Sequence, residues 1–172
     1  MEASFPTRRG AIRILEEGRA RTLDLVERLP RSALTTPGLG GGEWSPKDLL
    51  GHLASWEEYA LDALAAWGRG QRAPIDDLQF SVATSRINRQ NVERKSSWSL
   101  PKVRRECDRL HLELLDAIGS MTDARWRRPV TERGRKPLAS RLGGILGGPA
   151  GPFRHEEAHH PSLRGFVERY GR

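Results

Sequence analysis

The chain has 172 residues, a formal net charge of +7 at pH 7 and one cysteine. This length fits one domain over residues 1–172, with a core large enough to fold without a disulfide or a structural metal. One cysteine excludes an intramolecular disulfide, and no apolar segment approaches the roughly 20 residues of a membrane span. We expect a single-domain, cytoplasmic protein.

The positive charge comes mainly from arginine, which invites comparison with nucleic-acid-binding proteins. Acidic residues are interleaved with the basic ones along most of the predicted helices. Arginine, alanine and glycine richness is also typical of GC-rich genomes. We therefore expect a small-molecule substrate as the partner, and neither a nucleic acid nor a membrane.

The first predicted helix has clear start and stop signals. Thr7 is placed to cap it, and Pro30 ends it after Leu29. Apolar and small residues recur at the alternating spacing of a bundle helix: Ala11, Leu15, Gly18, Thr22, Leu25 and Leu29. The following segment, residues 30–44, contains a proline and a glycine run and is predicted to be a loop.

A strong start signal opens the second helix at residues 45–48. Ser45 is expected at the N-cap, Pro46 at the first helical position, and Asp48 where its carboxylate bonds back to the cap. An apolar seam follows, with His52 beside it and Glu57 on the predicted charged face. The seam consists of Leu49, Leu53, Trp56, Ala60, Ala63 and Trp67.

The rest of the chain also reads as helical. One polar helix is predicted from Asp76 or Asp77 to Lys95, and Ser99 caps a further helix that ends at Gly119. Residues 121–137 are predicted to form a basic connection with at most one short helical turn. No alternating strand pattern of useful length is present, so we predict an all-α fold.

Near the C-terminus, residues 138–146 are followed by the sequence GGPAGP and then by the histidines. Pro152 is predicted to start the helical segment that carries them, with Gly151 just outside it.

Three histidines in two distant segments are the main functional signal. His155 and His159 are four residues apart, so on a helix they share a face, at the spacing with which two imidazoles bind one cation. His52 is the best candidate for a third donor. Three neutral imidazoles leave a divalent ion with open coordination positions, as in catalytic sites. Zinc, nickel, iron and copper all suit imidazole; of these we expect zinc or nickel.

Neighbouring residues supply candidate catalytic and pocket groups. Asp48 lies one turn before His52, and Glu156 follows His155 directly. We expect one of these carboxylates to orient an imidazole and another to act as a general base, although the sequence does not assign the roles. Trp56 and Tyr59 are predicted to line the pocket for substrate or cosubstrate.

Several other readings of these residues are weaker. His155 to His159 match the HExxH pattern of zinc peptidases, but the downstream region offers no suitable third ligand. His111 is expected to be a core residue and His160 a solvated one. Cys107 is expected to be a small buried side chain rather than a nucleophile.

The chain resembles the DinB-like superfamily of four-helix bundle proteins, particularly the branch that includes the DfsB and ClbS proteins. The residues that carry the resemblance span most of the chain. They are Trp44 to Glu57, the polar Ile87-Asn88 region, Ser99, Met121-Thr122-Asp123, and His155-x3-His159, which is followed in relatives by a short final helix. The GGPAGP segment departs from the unbroken helix that relatives more often have before the histidine pair.

The resemblance implies a mostly antiparallel bundle with a short extra C-terminal helix, and His52, His155 and His159 as metal ligands. It also implies thiol transfer or hydrolysis acting on a small electrophilic molecule, with a low-molecular-weight thiol as one cosubstrate, and a homodimer. The alternative is a non-catalytic bundle that binds or sequesters a small molecule while the metal site is empty.

Overall fold

A computed structural model describes residues 5–131 and 134–171 of the chain. The described residues form helices and no strand. The helices are α1 Arg8–Glu27, α2 Pro46–Gly68, α3 Pro74–Ser81, α4 Thr84–Lys95, α5 Leu100–Gly119, α6 Asp123–Arg127, α7 Leu138–Ile145 and α8 His155–Tyr170. Both α1 and α2 pack against α5 and α8, so these four long helices enclose the core of a bundle. The predicted all-α four-helix fold is confirmed.

The helix starts follow the capping signals of the sequence. The Thr7 hydroxyl accepts a hydrogen bond from the Gly10 amide at 3.1 Å, and α1 ends at Glu27, two residues earlier than predicted. At α2 the Asp48 amide donates to the Ser45 hydroxyl at 3.2 Å, and the Ser45 amide donates to the Asp48 carboxylate at 2.9 Å. This reciprocal cap fixes the first turn of α2. In the described part of the chain, no helix has the length and apolarity needed to cross a membrane.

The single polar helix predicted from Asp76 or Asp77 to Lys95 is wrong. The chain forms two helices there, because Val82 and Ala83 adopt extended backbone angles between α3 and α4. Helix α3 also starts earlier than predicted, at Pro74. Val82 packs its side chain against the core, a contact between distant segments that local sequence does not reveal. The one short helix predicted between residues 121 and 137 is α6; residues 132 and 133 lie outside the described part of the chain.

The glycine-rich and proline-rich residues 147–152 form a tight turn against α7. A Cβ atom at Gly147 would lie 2.6 Å from the carbonyl oxygen of Gly143, so only glycine fits there. After the turn, Phe153 adopts a positive φ of 62° and stacks on Trp126 with ring centroids 5.7 Å apart. This buried aromatic pair holds the turn in place and so determines where α8 begins.

Helix α8 differs from the prediction at both ends. Pro152 is not its first residue, because the left-handed Phe153 interrupts the backbone; the helix starts at His155, whose amide donates to the Leu146 carbonyl at 3.0 Å. The helix then continues through Pro161 to Tyr170. The histidine pair and the last apolar pattern therefore share one helix, and no separate final helix follows them in the described residues.

A buried network of charged groups joins the four long helices. Arg19 donates to Glu156 at 2.7 Å, to Glu57 at 3.1 Å and to the Cys107 carbonyl at 3.1 Å. His111 Nδ1 lies 2.7 Å from the second Glu57 oxygen. Glu57, which was predicted on the charged face of α2, is only 5% exposed, and His111 is buried as predicted. The network fastens the first turn of α8 to α1 and α2.

We expect Arg19→Met to destabilise the protein strongly. The substitution keeps most of the side-chain volume but leaves Glu57 and Glu156 buried without their cation, which typically costs about 3–5 kcal/mol. Urea unfolding measures the change in the free energy of unfolding. Arg21→Met is the matched control, because Arg21 is exposed on the same helix. Equal stability of the two variants would contradict the role given to Arg19.

Cys107 is expected to be inert in the folded protein. Its side chain is 1% exposed, and burial raises the pKa of its thiol to about 12 despite the nearby Arg19. The thiolate is the reactive form, so iodoacetamide at pH 8 should modify the unfolded chain within minutes and leave the native protein unmodified. Rapid native modification, followed by mass spectrometry, would contradict this assignment.

Candidate metal centre

The structure brings His52, His155 and His159 together. The Nε2 atoms of His52 and His155 are 2.9 Å apart, and those of His155 and His159 are 3.2 Å apart. The donor atoms of all three residues lie within 4.8 Å of one another. The convergence of these histidines across 103 residues of sequence, which the spacing alone could only suggest, is present in the structure.

Two helix starts position the three rings. His52 lies one turn beyond the Ser45–Asp48 cap of α2 and is 1% exposed, with the Trp44 ring 4.8 Å away from its own. His155 is the first residue of α8, and His159 follows one turn later; both are partly buried. The first two turns of two helices therefore hold the donors, as a precise ligand set requires.

The surroundings keep all three imidazoles neutral at neutral pH. Burial, followed by the neighbouring His155 and His159, holds the pKa of His52 well below its usual range. Burial and His159 lower the pKa of His155 to about 3, and burial with His160 lowers the pKa of His159. Neutral imidazole is the form that binds a metal.

The three rings fit a divalent cation. One N–H···N hydrogen bond can join only two of the Nε2 atoms, so the third has no such bond of its own within the cluster, whereas a shared cation binds the lone pairs of all three rings. Nitrogen ligands at about 2.1 Å from one metal lie about 3 to 3.4 Å apart, close to the separations of 2.9 and 3.2 Å. The buried Nδ1 of His52 has no hydrogen-bond partner among the described residues, so no carboxylate orients this ring.

A cavity of about 690 Å³ opens beside the histidines. Its walls are the side chains of Trp56, Gln79, Thr84 and Asn88 and the backbone of the turn at residues 147–152. The Trp56 indole donates to Asn88 at 2.9 Å, which fixes both side chains at the cavity wall. The size suits a small molecule, and the wall combines one large aromatic ring with neutral hydrogen-bonding groups.

Of the two predicted pocket residues, Trp56 lines this cavity and Tyr59 does not. The Tyr59 hydroxyl donates to Asn91 at 2.8 Å, and its ring packs edge-on against Trp56 with centroids 5.5 Å apart. Tyr59 therefore supports the wall from behind. Sequence reasoning missed Gln79, Thr84 and Asn88, whose helices were predicted as a single polar stretch without a function.

The two predicted catalytic carboxylates point to other partners. Asp48 is engaged in the α2 cap with Ser45, and Glu156 binds Arg19 of α1. The structure thus gives neither carboxylate a contact with the three histidines, because helix capping and charge burial use them first. For Glu156 this also agrees with the rejection of a peptidase-type HExxH site.

A second group of candidate metal donors consists of Glu57, His111 and Glu156, also within 4.8 Å of one another. The Arg19 guanidinium already bonds both carboxylates there and supplies the positive charge. A further cation would be repelled, so this group is an ion-pair network. His160, predicted to be solvated, is 7% exposed and its Nε2 lies 3.0 Å from the Thr22 hydroxyl.

The metal-free protein should lose stability as the pH falls from 7 to 5. The unfolded histidines titrate near 6.5 and the folded ones at lower pH, so the unfolded chain binds more protons in this range. Stability is therefore complete above pH 6.5 and decreases towards pH 3. His155, with a folded pKa of about 3, contributes a loss of about 2 kcal/mol at pH 5.

Urea unfolding in EDTA at pH 7, 6 and 5 measures this dependence. His155→Gln should show a shallower loss between pH 7 and 5 than the wild-type protein. A free energy of unfolding that is equally pH-dependent in both proteins would contradict the burial of a neutral His155.

Solved structures with a similar fold include the following three proteins. A protein from Streptococcus pneumoniae superposes with a TM-score of 0.76 at 10% identity, over 98% of this chain and 94% of that chain. The colibactin self-resistance protein ClbS, solved in complex with double-stranded DNA, gives 0.70 at 11% identity, over 96% and 98%. YfiT from Bacillus subtilis, a probable metal-dependent hydrolase with an unusual four-helix bundle topology, gives 0.58 at 18% identity, over 98% and 91%.

Identities this low show a shared fold and nothing further. No curated protein matches the sequence significantly. The sequence profile of the DinB superfamily, by contrast, matches residues 14–160, which include all three histidines of the cluster. Since the match covers most of the chain, this protein belongs to the DinB superfamily.

Proposed function

We propose that the protein is a metal-dependent enzyme that acts on a small electrophilic molecule, by hydrolysis or by thiol transfer. The observation that carries the proposal is the convergence of three neutral imidazoles, one buried and two partly buried, beside a cavity of about 690 Å³. The description of YfiT as a probable metal-dependent hydrolase with a four-helix bundle topology supports it by analogy of fold.

His52, His155 and His159 would hold the ion, with zinc or nickel as the expected metal. When bound, a divalent cation supplies Lewis acidity and lowers the pKa of a water or thiol nucleophile. The histidines contribute by staying neutral, which leaves the double charge of the cation undiminished. Their placement near the starts of two helices keeps the donors preorganised, because Ser45 caps α2 and Glu156 bonds the first turn of α8 to Arg19.

The cavity walls position the reactants. Trp56 offers an aromatic face to an apolar substrate, and Thr84 and Gln79 offer neutral hydrogen-bonding groups. The described residues that line this cavity include no carboxylate and no ammonium group. Among the described residues that line the cavity, no side chain other than histidine could act as a general base, so the proton of the water or thiol nucleophile would pass to solvent or buffer.

The first test is metal content. Protein produced without a histidine tag in medium with zinc and nickel should contain about one metal ion per chain, because the donors form one site. Mass spectrometry of the purified protein measures it. His52→Gln and His159→Gln should lose the metal, and His160→Gln, one residue along the same helix but directed at Thr22, should keep it. Wild-type protein without metal under these conditions would favour the non-catalytic binder.

The second test is turnover. Metal-loaded protein is assayed with 4-nitrophenyl acetate for hydrolysis, and with 1-chloro-2,4-dinitrobenzene plus glutathione, cysteine or 2-mercaptoethanol for transfer. His52→Gln should lower the active rate at least about a hundredfold, because Lewis-acid catalysis contributes several kcal/mol. Bound metal with no turnover in either assay would again favour the sequestering protein.

Three further expectations stay predictions: a homodimer, a cytoplasmic location and the absence of a nucleic-acid partner. DNA binding is a property of ClbS, and at 11% identity we do not extend it to this chain. Here several arginines are neutralised locally; Arg109, for example, bonds both Glu106 and Glu113 on the surface of α5. Affinity for DNA that falls steeply with salt would overturn the last expectation.

A further inference from the structure

His159 lines a second cavity, of about 400 Å³, besides the one described above. Trp44 lies in the wall of this second cavity and packs its ring 4.8 Å from the ring of His52. His159 thus borders the second cavity directly, and His52 is separated from it by the Trp44 ring. The histidine cluster is therefore bordered by two separate spaces.

Helix α4 forms a wall of both cavities. Thr84 and Asn88 line the larger cavity, and the next residues along the helix, Ser85 and Arg89, line the second one. Adjacent helical positions differ by about 100° in direction, so one helix presents a different set of side chains to each space. Helix α4 therefore contributes only neutral side chains to the wall of the larger cavity, whereas it contributes the Arg89 guanidinium to the wall of the second.

The second cavity contains hydrogen-bond donors that have no partner in the described part of the chain. Arg89 forms no ion pair there, and the hydroxyls of Ser85 and Ser162 have no hydrogen bond. Glu43 also lines this cavity but lies beyond ion-pair distance of Arg89. The guanidinium and the two hydroxyls that line this cavity supply hydrogen-bond donors suited to a carboxylate ligand.

The loop that forms the outer wall is built for close approach to α8. Gly40 has a φ of 61°, and a Cβ atom there would lie 2.8 Å from the Ser162 hydroxyl oxygen. Only glycine permits both this backbone conformation and this contact. The loop therefore keeps Ser162 and Trp44 at fixed places in the wall, and the cavity is preformed.

We propose that the second cavity binds the carboxylate of a small monoanionic molecule whose other end reaches the histidine cluster. Arg89, Ser85 and Ser162 bind the carboxylate, and Glu43 disfavours any second negative charge. The assignment of the molecule as a substrate or cosubstrate rests on the proposed function. A two-cavity site of this kind accommodates two reactants on either side of one metal ligand set.

Cobalt-loaded protein provides the main test, because a thiol that binds cobalt produces a charge-transfer absorption. Mercaptocarboxylic acids of two to six carbons are compared with mercaptoalcohols of equal length. At the best length the acid should bind about fivefold more tightly, the upper end of the effect expected for one exposed charge pair, since Arg89 is exposed. Equal affinities at every length would overturn the proposal.

Three variants test the origin of this preference for the mercaptocarboxylic acid over the mercaptoalcohol. Arg89→Gln should reduce it to about one, and Glu43→Gln should increase it, because the opposing charge is gone. Arg86→Gln is the matched control, an exposed arginine on the same helix that lines neither cavity, and should leave the preference unchanged. An unchanged preference in Arg89→Gln would overturn the proposal.

A metal-free measurement separates this inference from the proposed function. Propionate, but not propanol, should shift the NMR resonance of the Trp44 indole N–H, which Trp44→Phe identifies, and Arg89→Gln should abolish the shift. This result without metal binding would retain the anion site and refute the enzyme. Metal binding without this shift would retain the metal centre and refute the anion site. A stronger shift with inorganic phosphate than with propionate would refute the monocarboxylate class.

Discussion

The ion pair between Arg19 on α1 and Glu156 on α8 determines how the histidine cluster is assembled. Glu156 directly follows His155, so its bond of 2.7 Å to Arg19 fixes the rotation of the first turn of α8. The charges are buried, so the pair is stable only when Glu57 and His111 complete the network. The contacts that hold the four helices together therefore also orient His155 towards the other two histidines.

Charge is divided between two neighbouring parts of the bundle interior. The network pairs the Arg19 guanidinium with the carboxylates of Glu57 and Glu156, and one oxygen of Glu156 has no hydrogen-bond partner among the described residues. The histidine cluster, in contrast, contains neutral rings whose pKa values are held low by burial. This division leaves the cluster without a carboxylate of its own. The absence of a contact from Asp48 or Glu156 has a chemical consequence: the acidity of any nucleophile depends on the cation rather than on a nearby base.

The turn at residues 147–152 gives this chain its particular cavity. In place of a continuous helix before the histidines, the chain folds back, with Gly147 against Gly143 and Phe153 stacked on Trp126. The turn still delivers His155 and His159 to His52, and its backbone becomes one wall of the larger cavity. The turn therefore contributes to the pocket wall and still allows the three rings to meet.

Local sequence determined the features that depend on near neighbours along the chain. Thr7, Ser45 and Ser99 cap helices because their hydroxyls reach amides three residues away, and the apolar periodicity of α1, α2 and α5 indicates their buried faces. The spacing of His155 and His159 and the family motif selected the histidines. Tertiary structure alone decided the break at Val82, the start of α8, the burial of Glu57 and His160, and the direction of Asp48 and Glu156. Those outcomes depend on which groups from distant segments compete for the same polar partner or the same buried space. The periodicity along one helix does not reveal these distant groups, so it cannot predict the outcome.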